Sequence, residues 1–444
     1  MKKIYQYILL VVAMVATASC SNELDDTLQP VENGTLQFVV GDFPAFGEDP
    51  QTRASSFGTP DEGKTAWETN DEITVIFTSE YYGEQTATLT YGEDGTWVSS
   101  GTLSYLENET PAVSAVYNPC ADTPGLGEYL TTTDCTLANN ALSINFEDAT
   151  RTYSRLRIAT LADLPLAVTT TGFTPAGAEE AGEHSYTITA DKKGNAYLYG
   201  TFAEGATVSV KQGDVTLKDY TFTAEKNPNG TEYNKSYALD ATPVIDGTLG
   251  GKTEATEDDI TALVEQLKEY VDNGITTIIV LGSQPAMIDV GSYTTTAIGE
   301  AIYRLSGSDY YDENNPYNGK IDLILQDVTE IVDQEFYSAW ALNSITLPKV
   351  IKIGDMAFQG CDHLTKLTFG SVLTTIDEHD GLMFWVGEKV DGCDLFLNCG
   401  QMNSQYVPDL ATNTWTILHT NEFKSITLTH TGENSECDEC KANQ

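Results

Sequence analysis

The sequence is poor in basic residues, and this shortage limits the partners that the protein can have. It holds 23 lysine and arginine residues against 66 aspartate and glutamate residues, which gives a formal net charge of −43. Nucleic-acid binding needs a basic surface that neutralises phosphates, so we expect no nucleic acid as a partner. Adsorption to anionic lipid head groups is disfavoured for the same reason.

Sequence signatures of catalysis are also missing. The chain has no G-x-S-x-G, no H-E-x-x-H and no glycine-rich phosphate loop. We therefore predict a protein that is not an enzyme and that needs no cofactor or metal. A hydrolase in the C-terminal region stays open, because the carboxylates are too many for a catalytic pair to be chosen. The C-x-x-C pair Cys437 and Cys440 could bind zinc with His419 or His430, but nothing in the sequence sets their geometry.

Long apolar runs are confined to the N-terminus. A basic start, the apolar residues 8–15 and the small residues before Cys20 form the pattern of a secretory signal. No later segment reaches the roughly 18 apolar residues that a membrane helix needs. The residues "TASC" (17–20) resemble a bacterial lipoprotein signal. This resemblance implies that residues 1–19 are removed and that Cys20 is lipidated; an ordinary cleaved signal with a chance cysteine is the alternative.

The residues after the predicted cleavage site are polar and acidic. "SNELDD" (21–26) resembles the acidic stretch that follows the lipidated cysteine in surface-exported lipoproteins of Bacteroidetes. The resemblance implies an acidic tether over residues 20–34. It also implies an outer-membrane protein that is held by its acyl chains and exposed at the cell surface.

Cysteine is too sparse for a scaffold held by disulfides, although an exported compartment permits them. Cys120 with Cys135, and Cys393 with Cys399, are candidate pairs by closeness in sequence alone. If Cys20 is lipidated, seven cysteines remain, so at least one stays free or pairs outside the chain. The seven are Cys120, Cys135, Cys361, Cys393, Cys399, Cys437 and Cys440.

The first half of the mature chain reads as many short β-strands. From about residue 36 to 239, segments rich in β-branched and aromatic residues, such as "TLQFVV" (35–40) and "EITVIF" (72–77), are separated by Gly, Asn, Asp and Pro. Short strands with frequent turn signals predict a β-sandwich or barrel.

Four segments in this half carry a family resemblance by their order. They are "TRASS" (52–56), "TAWETNDEITVIF" (65–77), "GTW" (95–97) and "AVSAVYNP" (112–119). Together they resemble the fimbrillin-like surface lipoproteins of Bacteroidetes, over roughly residues 30–245. The positions that carry the resemblance are Arg53, Trp67, Asp71, Tyr117 and Pro119.

The fimbrillin-like resemblance implies both a fold and an assembly mechanism. The fold is two transthyretin-like β-sandwich lobes in residues 35–245, joined near residue 150, with Trp67 and Tyr117 in the core. In pilus-forming members an arginine-specific protease removes the first strand, and a strand of another subunit fills the groove. Arg53 stands at the matching place, so it is a candidate processing site; a plain loop residue is the alternative.

The C-terminal part changes architecture after a predicted linker at residues 246–257. Residues 258–274 and 293–305 have helical periodicity, and 275–282 reads as a buried strand. The stretch "SITLPKVIKIGDMAFQGCDHLTKLTF" (344–369) then matches itself at a shift of 22 residues, with Phe358 falling on Phe336. Such a period predicts a leucine-rich-repeat domain over residues 258–430, before an acidic tail at 431–444.

The repeat unit resembles the BspA-like bacterial surface repeats, in which Ile-x-x-x-Ala-Phe-x-x-Cys-x-x-Leu recurs. In the unit over 353–364, Phe358 and Cys361 occupy the Phe and Cys positions. The preceding unit has Glu335 in the Ala position and Ala339 in the Cys position. A small residue in both units predicts that Cys361 belongs to the core rather than to a reactive site.

One loop beside the repeats leaves several interpretations open. "DYYDENNPYNGK" (309–320) is acidic and rich in tyrosine, so it could hold calcium or contact a sugar, or it could be a solvated loop.

Together these patterns predict a mainly β protein, with N-terminal transthyretin-like β-sandwich lobes followed by a short α/β leucine-rich-repeat solenoid. We predict a surface adhesion or fimbria-accessory protein whose repeat domain is the recognition head. Expected partners are the outer membrane, a host or bacterial surface protein or glycan, and other fimbrial subunits by strand addition. A glycan-binding lipoprotein for nutrient capture is the alternative.

Overall fold

A computed structural model describes the chain mainly as β-strand, which confirms the predicted fold class. The described residues are 30–31, 36–44, 46, 64–106, 109–147, 151–225, 227, 229–283, 286–287, 296–307, 312–370, 373, 375–376, 386–387, 390–398 and 423–429. They fall into two compact units. The first takes its residues from 1–45, 64–121 and 128–150, and the second takes the rest.

The first unit contains an antiparallel sheet and a smaller mixed sheet. The antiparallel sheet has the order β5-β4-β3-β7-β8, and the mixed sheet has the order β2-β10-β9, in which β2 and β10 are parallel. A short pair, β1 with β6, completes the unit. The strands are β1 (Pro30–Val31), β2 (Gln37–Val40), β3 (Glu72–Ser79), β4 (Gly83–Tyr91), β5 (Trp97–Ser99), β6 (Tyr105–Leu106), β7 (Ala112–Tyr117), β8 (Leu130–Thr132), β9 (Cys135–Ala138) and β10 (Ala141–Ile144).

Of the aromatic residues of the fimbrillin-like resemblance, Tyr117 is buried in the core of this unit, and Trp67 is half-buried and packs against that core. The Trp67 ring packs edge-on against Phe43 and Tyr117, with centroids 4.9 and 5.2 Å away. The Tyr117 hydroxyl donates a 2.9 Å hydrogen bond to the Asp71 carboxylate, which also pairs with Lys64 at 2.8 Å. Burial and the adjacent Asp71 carboxylate raise the pKa of Tyr117 above its ordinary value, so the phenol is a stable donor.

The second unit begins with a six-stranded sheet of order β13-β12-β14-β11-β16, with β15 paired to β14. Strand β11, which lies between β14 and β16, is buried on both faces, although it carries Arg155 and Arg157. Arg155 lies 4.8 Å from the Phe46 ring and donates to Ser236, while Arg157 donates to Asn195. The strands are β11 (Ser154–Ala159), β12 (Pro165–Pro175), β13 (Gly182–Thr189), β14 (Asn195–Gln212), β15 (Val215–Thr221) and β16 (Ser236–Asp240).

The rest of the second unit is built on parallel strands. A seven-stranded parallel sheet has the order β17-β19-β21-β23-β25-β27-β28, and a second parallel ladder has the order β22-β24-β26. A short parallel pair joins β18 to β20. The strands are β17 (Val244–Asp246), β18 (Glu254–Ala255), β19 (Thr277–Leu281), β20 (Ala286–Met287), β21 (Ile321–Leu325), β22 (Glu330–Ile331), β23 (Leu342–Leu347), β24 (Lys352–Ile353), β25 (Lys366–Phe369), β26 (Thr375–Ile376), β27 (Cys393–Asn398) and β28 (Phe423–Thr429).

Both predicted helices are present. Helix α1 (Glu257–Asp272) begins with a capping box, in which the Thr256 side chain accepts from the Asp259 backbone and the Asp259 carboxylate accepts from the Thr256 backbone. Helix α2 (Ala297–Leu305) begins after the cap residue Thr296, later than position 293 where the sequence predicts it. Neither helix among the described residues is long and apolar enough to cross a membrane.

The residues predicted as a linker, 246–257, are held in place by specific bonds. The Asp246 carboxylate accepts hydrogen bonds from Thr248 and from the Gly250 backbone, and β18 pairs with β20. The turn between β14 and β15 is bonded to the end of α1, where the Asp214 N–H donates to the Asn273 side chain at 2.7 Å. One apolar cluster accordingly runs from Leu156 to Leu395, through the six-stranded sheet and the repeats.

Candidate functional site

Successive repeats stack in register at the predicted period. Ser344 lies beside Lys366 and Ile345 beside Leu367 in the seven-stranded sheet. On the second ladder Ile331 lies beside Ile353. Each of these pairs is separated by the 22 residues that the sequence predicts, so equivalent positions of successive units are neighbours in space.

The motif residues of the repeats point into the core. The Phe336 and Phe358 rings are fully buried and stacked, with centroids 5.7 Å apart and an angle of 10° between their planes. The Cys361 thiol is buried and donates to the Phe336 carbonyl at 3.0 Å. Burial raises the pKa of this thiol, which keeps it protonated and unreactive. These contacts confirm that Cys361 is a core residue.

The other side of the seven-stranded sheet, which we call the outer face, carries mostly polar residues, with the apolar Ile279 and Ile324 also on it. Because the strands are parallel and in register, one row of this face takes one side chain from each of the six strands β19, β21, β23, β25, β27 and β28. The row is Thr277, Asp322, Ser344, Lys366, Asp394 and Ser425. The outer face is therefore a surface to which every repeat contributes and on which side chains can vary without loss of the core.

Side chains of the outer face contact one another across the strands. Ser344 donates to the Asp322 carboxylate at 2.6 Å, and Ser425 donates to the Asp394 carboxylate at 2.7 Å. Between them Lys366 is exposed, and its Nζ lies 4.7 Å from the centroid of the half-buried Phe396 ring. A cation held over an aromatic ring is attracted to the face of its π-system. The outer face thus combines an amine, an aromatic ring, hydroxyls and carboxylates in one patch that can contact a partner.

A buried carboxyl group lies under the repeats, at the point where they meet helix α2. Glu335 is 1% exposed, accepts a 2.6 Å hydrogen bond from the Thr296 hydroxyl and accepts another at 3.0 Å from the Val332 backbone. Burial raises the pKa of Glu335 from 4.5 to about 7, against the opposing effect of these hydrogen bonds. Its contacts are internal, so the group acts on the stability of the repeats rather than on a ligand.

A second surface feature lies at the N-terminal edge of the first unit. Strand β2 pairs only with β10 among the described strands. The N–H groups of Gln37 and Gly41 donate towards β10, so the backbone groups of Phe38 and Val40 point away from it. A groove of about 860 Å³ follows this edge, lined by β2, β5 and the rings of Trp67, Tyr91 and Trp97. The Trp97 ring makes angles of 85° with Trp67 and 50° with Tyr91, so these rings do not form a flat platform.

Several residues proposed from the sequence lie outside the described residues. Among them are the signal segment 1–19, the lipidation site Cys20 and the processing site Arg53; the acidic tail is also outside. The zinc candidates Cys437, Cys440, His419 and His430 also lie outside the described residues, as do Cys399 and residues 309–311 of the tyrosine-rich loop. Of the proposed acidic tether 20–34, only β1 is described.

The other candidates can be placed in the structure. Cys135 and Cys393 carry free thiols, so neither disulfide pairing suggested by closeness in sequence is formed. In the tyrosine-rich loop the Tyr317 hydroxyl lies 3.4 Å from the Asp272 carboxylate on helix α1. Across the described part of the chain, no group of three His, Cys, Asp or Glu side chains is arranged to hold a metal ion.

Two surface features escape the sequence motifs. Lys366 follows no signature, and its place on the outer face appears only when the 22-residue shift aligns it with Ser344. The adjacent Tyr81 and Tyr82 occupy a turn between two strands, where polar residues are usual. An aromatic pair at a turn between predicted strands is a signal that could have found them.

Comparison with known proteins identifies the repeats. A family model described as a BspA type leucine rich repeat region (6 copies) matches residues 324–380. These residues include the end of β21 and all of β22 to β26, so the BspA-like nature of this segment is established. The match covers well under half of the chain and does not assign the whole protein to a family. No curated protein matches the chain.

Similar solved structures come from surface proteins and repeat proteins. One is a protein from Bacteroides fragilis NCTC 9343 that is provisionally named a cell adhesion protein. Its sequence identity to this chain is 11% and the TM-score is 0.28, and the match covers 47% of this chain and 93% of that chain. A mutant of the shaft pilin SpaA from Lactobacillus rhamnosus GG has 12% identity, 49% and 98% coverage, and a TM-score of 0.19. A leucine-rich repeat protein from Bacteroides thetaiotaomicron VPI-5482 has 14% identity, 81% and 56% coverage, and a TM-score of 0.14. All three TM-scores are below 0.5, so these likenesses carry no argument.

Proposed function

We propose that the protein is a non-enzymatic adhesion protein of the cell surface, in which the outer face of the repeat sheet is the recognition head. The observation that carries this proposal is the register of the parallel strands, which brings Lys366, Phe396 and the neighbouring hydroxyl and carboxylate groups into one patch. The core lies on the opposite side of the same strands, so the patch can serve a partner without a cost in packing. The partner would be a protein or glycan of a host or bacterial surface.

The position of the protein in the cell is part of the proposal. A lipid on Cys20 would anchor the chain in the outer membrane and leave the repeats outside. Mass spectrometry of the mature N-terminus tests this directly: a diacylated or triacylated Cys20 is expected, and a C20A variant should lose its membrane association. An unmodified N-terminus at another residue would refute the anchor.

The proposal also includes assembly by strand addition, which rests on the fimbrillin-like resemblance. A cut after Arg53 would separate β1, β2 and Phe43 from the rest of the first unit, and their loss would expose the edge of β10 and the Tyr117 ring against which Phe43 packs. A strand of another subunit could then pair with β10. Treatment with an arginine-specific protease should give one cut after Arg53 followed by oligomers, and an R53A variant should stay monomeric. Monomers after complete cleavage would refute strand addition.

The recognition head is tested by a charge reversal on the outer face. Labelled wild-type protein is added to intact bacterial and epithelial cells, and its binding is compared with that of K366E. The matched control is K192E, which changes the net charge equally at a lysine whose side chain is 86% exposed in the six-stranded sheet region. We expect K366E alone to lose binding. Equal binding by both variants would move recognition away from the outer face.

A further inference from the structure

Two adjacent tyrosines stand out at the turn between β3 and β4. The turn residues 80–82 connect the paired residues Ser79 and Gly83. The Tyr81 and Tyr82 side chains are 63% and 38% exposed, and their ring centroids lie 4.9 Å apart with 78° between the ring planes. Exposed aromatic side chains at adjacent positions are an unusual choice for a turn, where Gly, Asn, Asp and Ser are preferred.

Buried groups hold this turn in one conformation. Ser79 is 2% exposed, and its hydroxyl accepts hydrogen bonds from the backbone N–H groups of Tyr81 and Tyr82 at 3.2 and 3.0 Å. It donates in turn to the Glu109 carboxylate at 2.9 Å. Gly83 has a φ of +73°, a left-handed conformation that residues with a Cβ rarely adopt.

The Glu109 carboxylate connects the turn to the next part of the unit. Besides Ser79 it accepts hydrogen bonds from the backbone N–H groups of Glu80 and Leu106. Although partial burial acts in the opposite direction, these bonds hold the pKa of Glu109 below its ordinary value. The carboxylate therefore stays charged at neutral pH and keeps the two tyrosines displayed. A rigid display lowers the conformational entropy that would be lost on binding.

The geometry of the two rings selects the kind of ligand. Because the rings are nearly perpendicular, they form two walls of a corner rather than the flat surface on which a sugar ring stacks. A cation can bind such a corner, since it is attracted to the face of a tyrosine ring within about 6 Å. Guanidinium groups are favoured, because they are planar and weakly hydrated.

The charge around the corner agrees with a cationic ligand. Glu80 and Glu84, on either side of the tyrosines, are both exposed. The chain as a whole has a net charge of −43, which attracts basic partners over longer distances. The same charge opposes an anionic ligand at this place.

We propose that Tyr81 and Tyr82 form a binding corner for an arginine or lysine side chain of a basic segment on a partner protein. This contact lies in the first unit and does not use the outer face of the repeats. Loss of this contact would therefore leave the proposed recognition head on the outer face unaffected, and the two proposals can be tested separately.

The test uses tyrosine substitutions in the full chain, because they leave the net charge unchanged. The probe is a short peptide of alternating arginine and glycine, titrated by calorimetry at near-physiological salt. A matched glutamate–glycine peptide and a neutral maltooligosaccharide are the comparison ligands. The control variant is Y233A, which removes a tyrosine that is 59% exposed in the second unit. Thermal unfolding of each variant shows that the fold is retained.

We expect the arginine peptide to bind Y81A/Y82A about five- to tenfold more weakly than the wild type, because two cation–π contacts are lost. Y233A should bind within about twofold of the wild type, and Y81F/Y82F should retain binding because the rings remain. Equal weakening by Y233A would show general attraction to an acidic surface and would overturn the proposal. Loss in Y81F/Y82F, or binding of the oligosaccharide instead of the peptide, would overturn it as well.

Discussion

Replacement of Glu335 by glutamine tests whether a buried carboxyl group makes the stability of the repeats depend on pH. In the folded chain burial raises the pKa of Glu335 to about 7, whereas the ordinary value is 4.5. The folded state therefore binds this proton more tightly than the unfolded state. Its stabilising effect is fully present below about pH 4.5 and is lost as the pH rises through about 7.

The size of the effect follows from the difference between the two pKa values. One pKa unit corresponds to about 1.4 kcal/mol, so raising the pH from 5 to 8 should destabilise the wild type by roughly 2–3 kcal/mol through this group. Glutamine does not titrate, so E335Q should lack this loss. It offers one oxygen where the carboxyl group offers two, so a bond from Thr296 or Val332 is weakened at a cost of about 1–2 kcal/mol. E335Q should therefore be less stable than the wild type at pH 5 and more stable at pH 8.

Hydrogen–deuterium exchange of peptides from α2 and β23 measures this difference locally, and comparison at equal pH cancels the intrinsic exchange rates. The matched control is E265Q, which removes an exposed carboxylate from helix α1 in the same unit. The stability difference between E335Q and the wild type should grow by roughly 2–3 kcal/mol from pH 5 to pH 8. A difference that stays constant with pH, or one that E265Q reproduces, would refute the assignment of a raised pKa to Glu335.

Three further substitutions or treatments address the packing of the second unit. F358A should lower the free energy of unfolding, measured by chemical denaturation, by about 3–5 kcal/mol, because it leaves a cavity beside the fully buried Phe336 ring. The control I351A truncates a residue that is 45% exposed and should lower the same free energy by less than about 1 kcal/mol. N273A should speed hydrogen exchange in the turn between β14 and β15, because the Asn273 side chain accepts a hydrogen bond from that turn and donates one to the Glu269 carbonyl. Unchanged exchange would contradict this role. The Cys361 thiol should react with a thiol reagent only in denaturant, because it is buried and protonated, and rapid labelling of the native protein would show that the core site is open.

The repeats were predictable from the sequence because a parallel stack places each position beside its own equivalent. Ile331 and Ile353 lie side by side at equivalent positions of successive units, so an apolar residue is needed at this position every 22 residues. Phe358 and Cys361 are core residues for this reason, and their type is constrained by the neighbouring Phe336. A period therefore carries information about packing that single segments lack.

Other features could not be predicted because they depend on contacts between distant segments. No strand is predicted over residues 154–159, where arginines alternate with apolar residues as in a half-exposed strand. In the structure β11 lies between β14 and β16, and Arg155 and Arg157 are buried against Phe46, Ser236 and Asn195. These partners come from three other parts of the chain, so no local pattern indicates them.

The candidate site was predictable only in outline. The period indicates a sheet with one face in the core and one outside, but it does not show which residues meet across the strands. The contact between Lys366 and Phe396 requires the register of β25 with β27, whose separation departs from 22 residues. Closeness in sequence suggested disulfides for Cys135 and Cys393 that are not formed, because disulfide formation depends on the distance and direction of the side chains.

Glu335 shows how a break in a repeat marks a change of architecture. In the next unit the equivalent position is Ala357, which is fully buried and has no polar side-chain group. Glu335 instead meets the start of α2, where the Thr296 hydroxyl donates to its carboxylate and accepts from the Gly299 backbone. An alanine there would leave that buried hydroxyl without its acceptor. The deviation from the repeat consensus is thus required where a helical segment, rather than another short coil, packs against the unit.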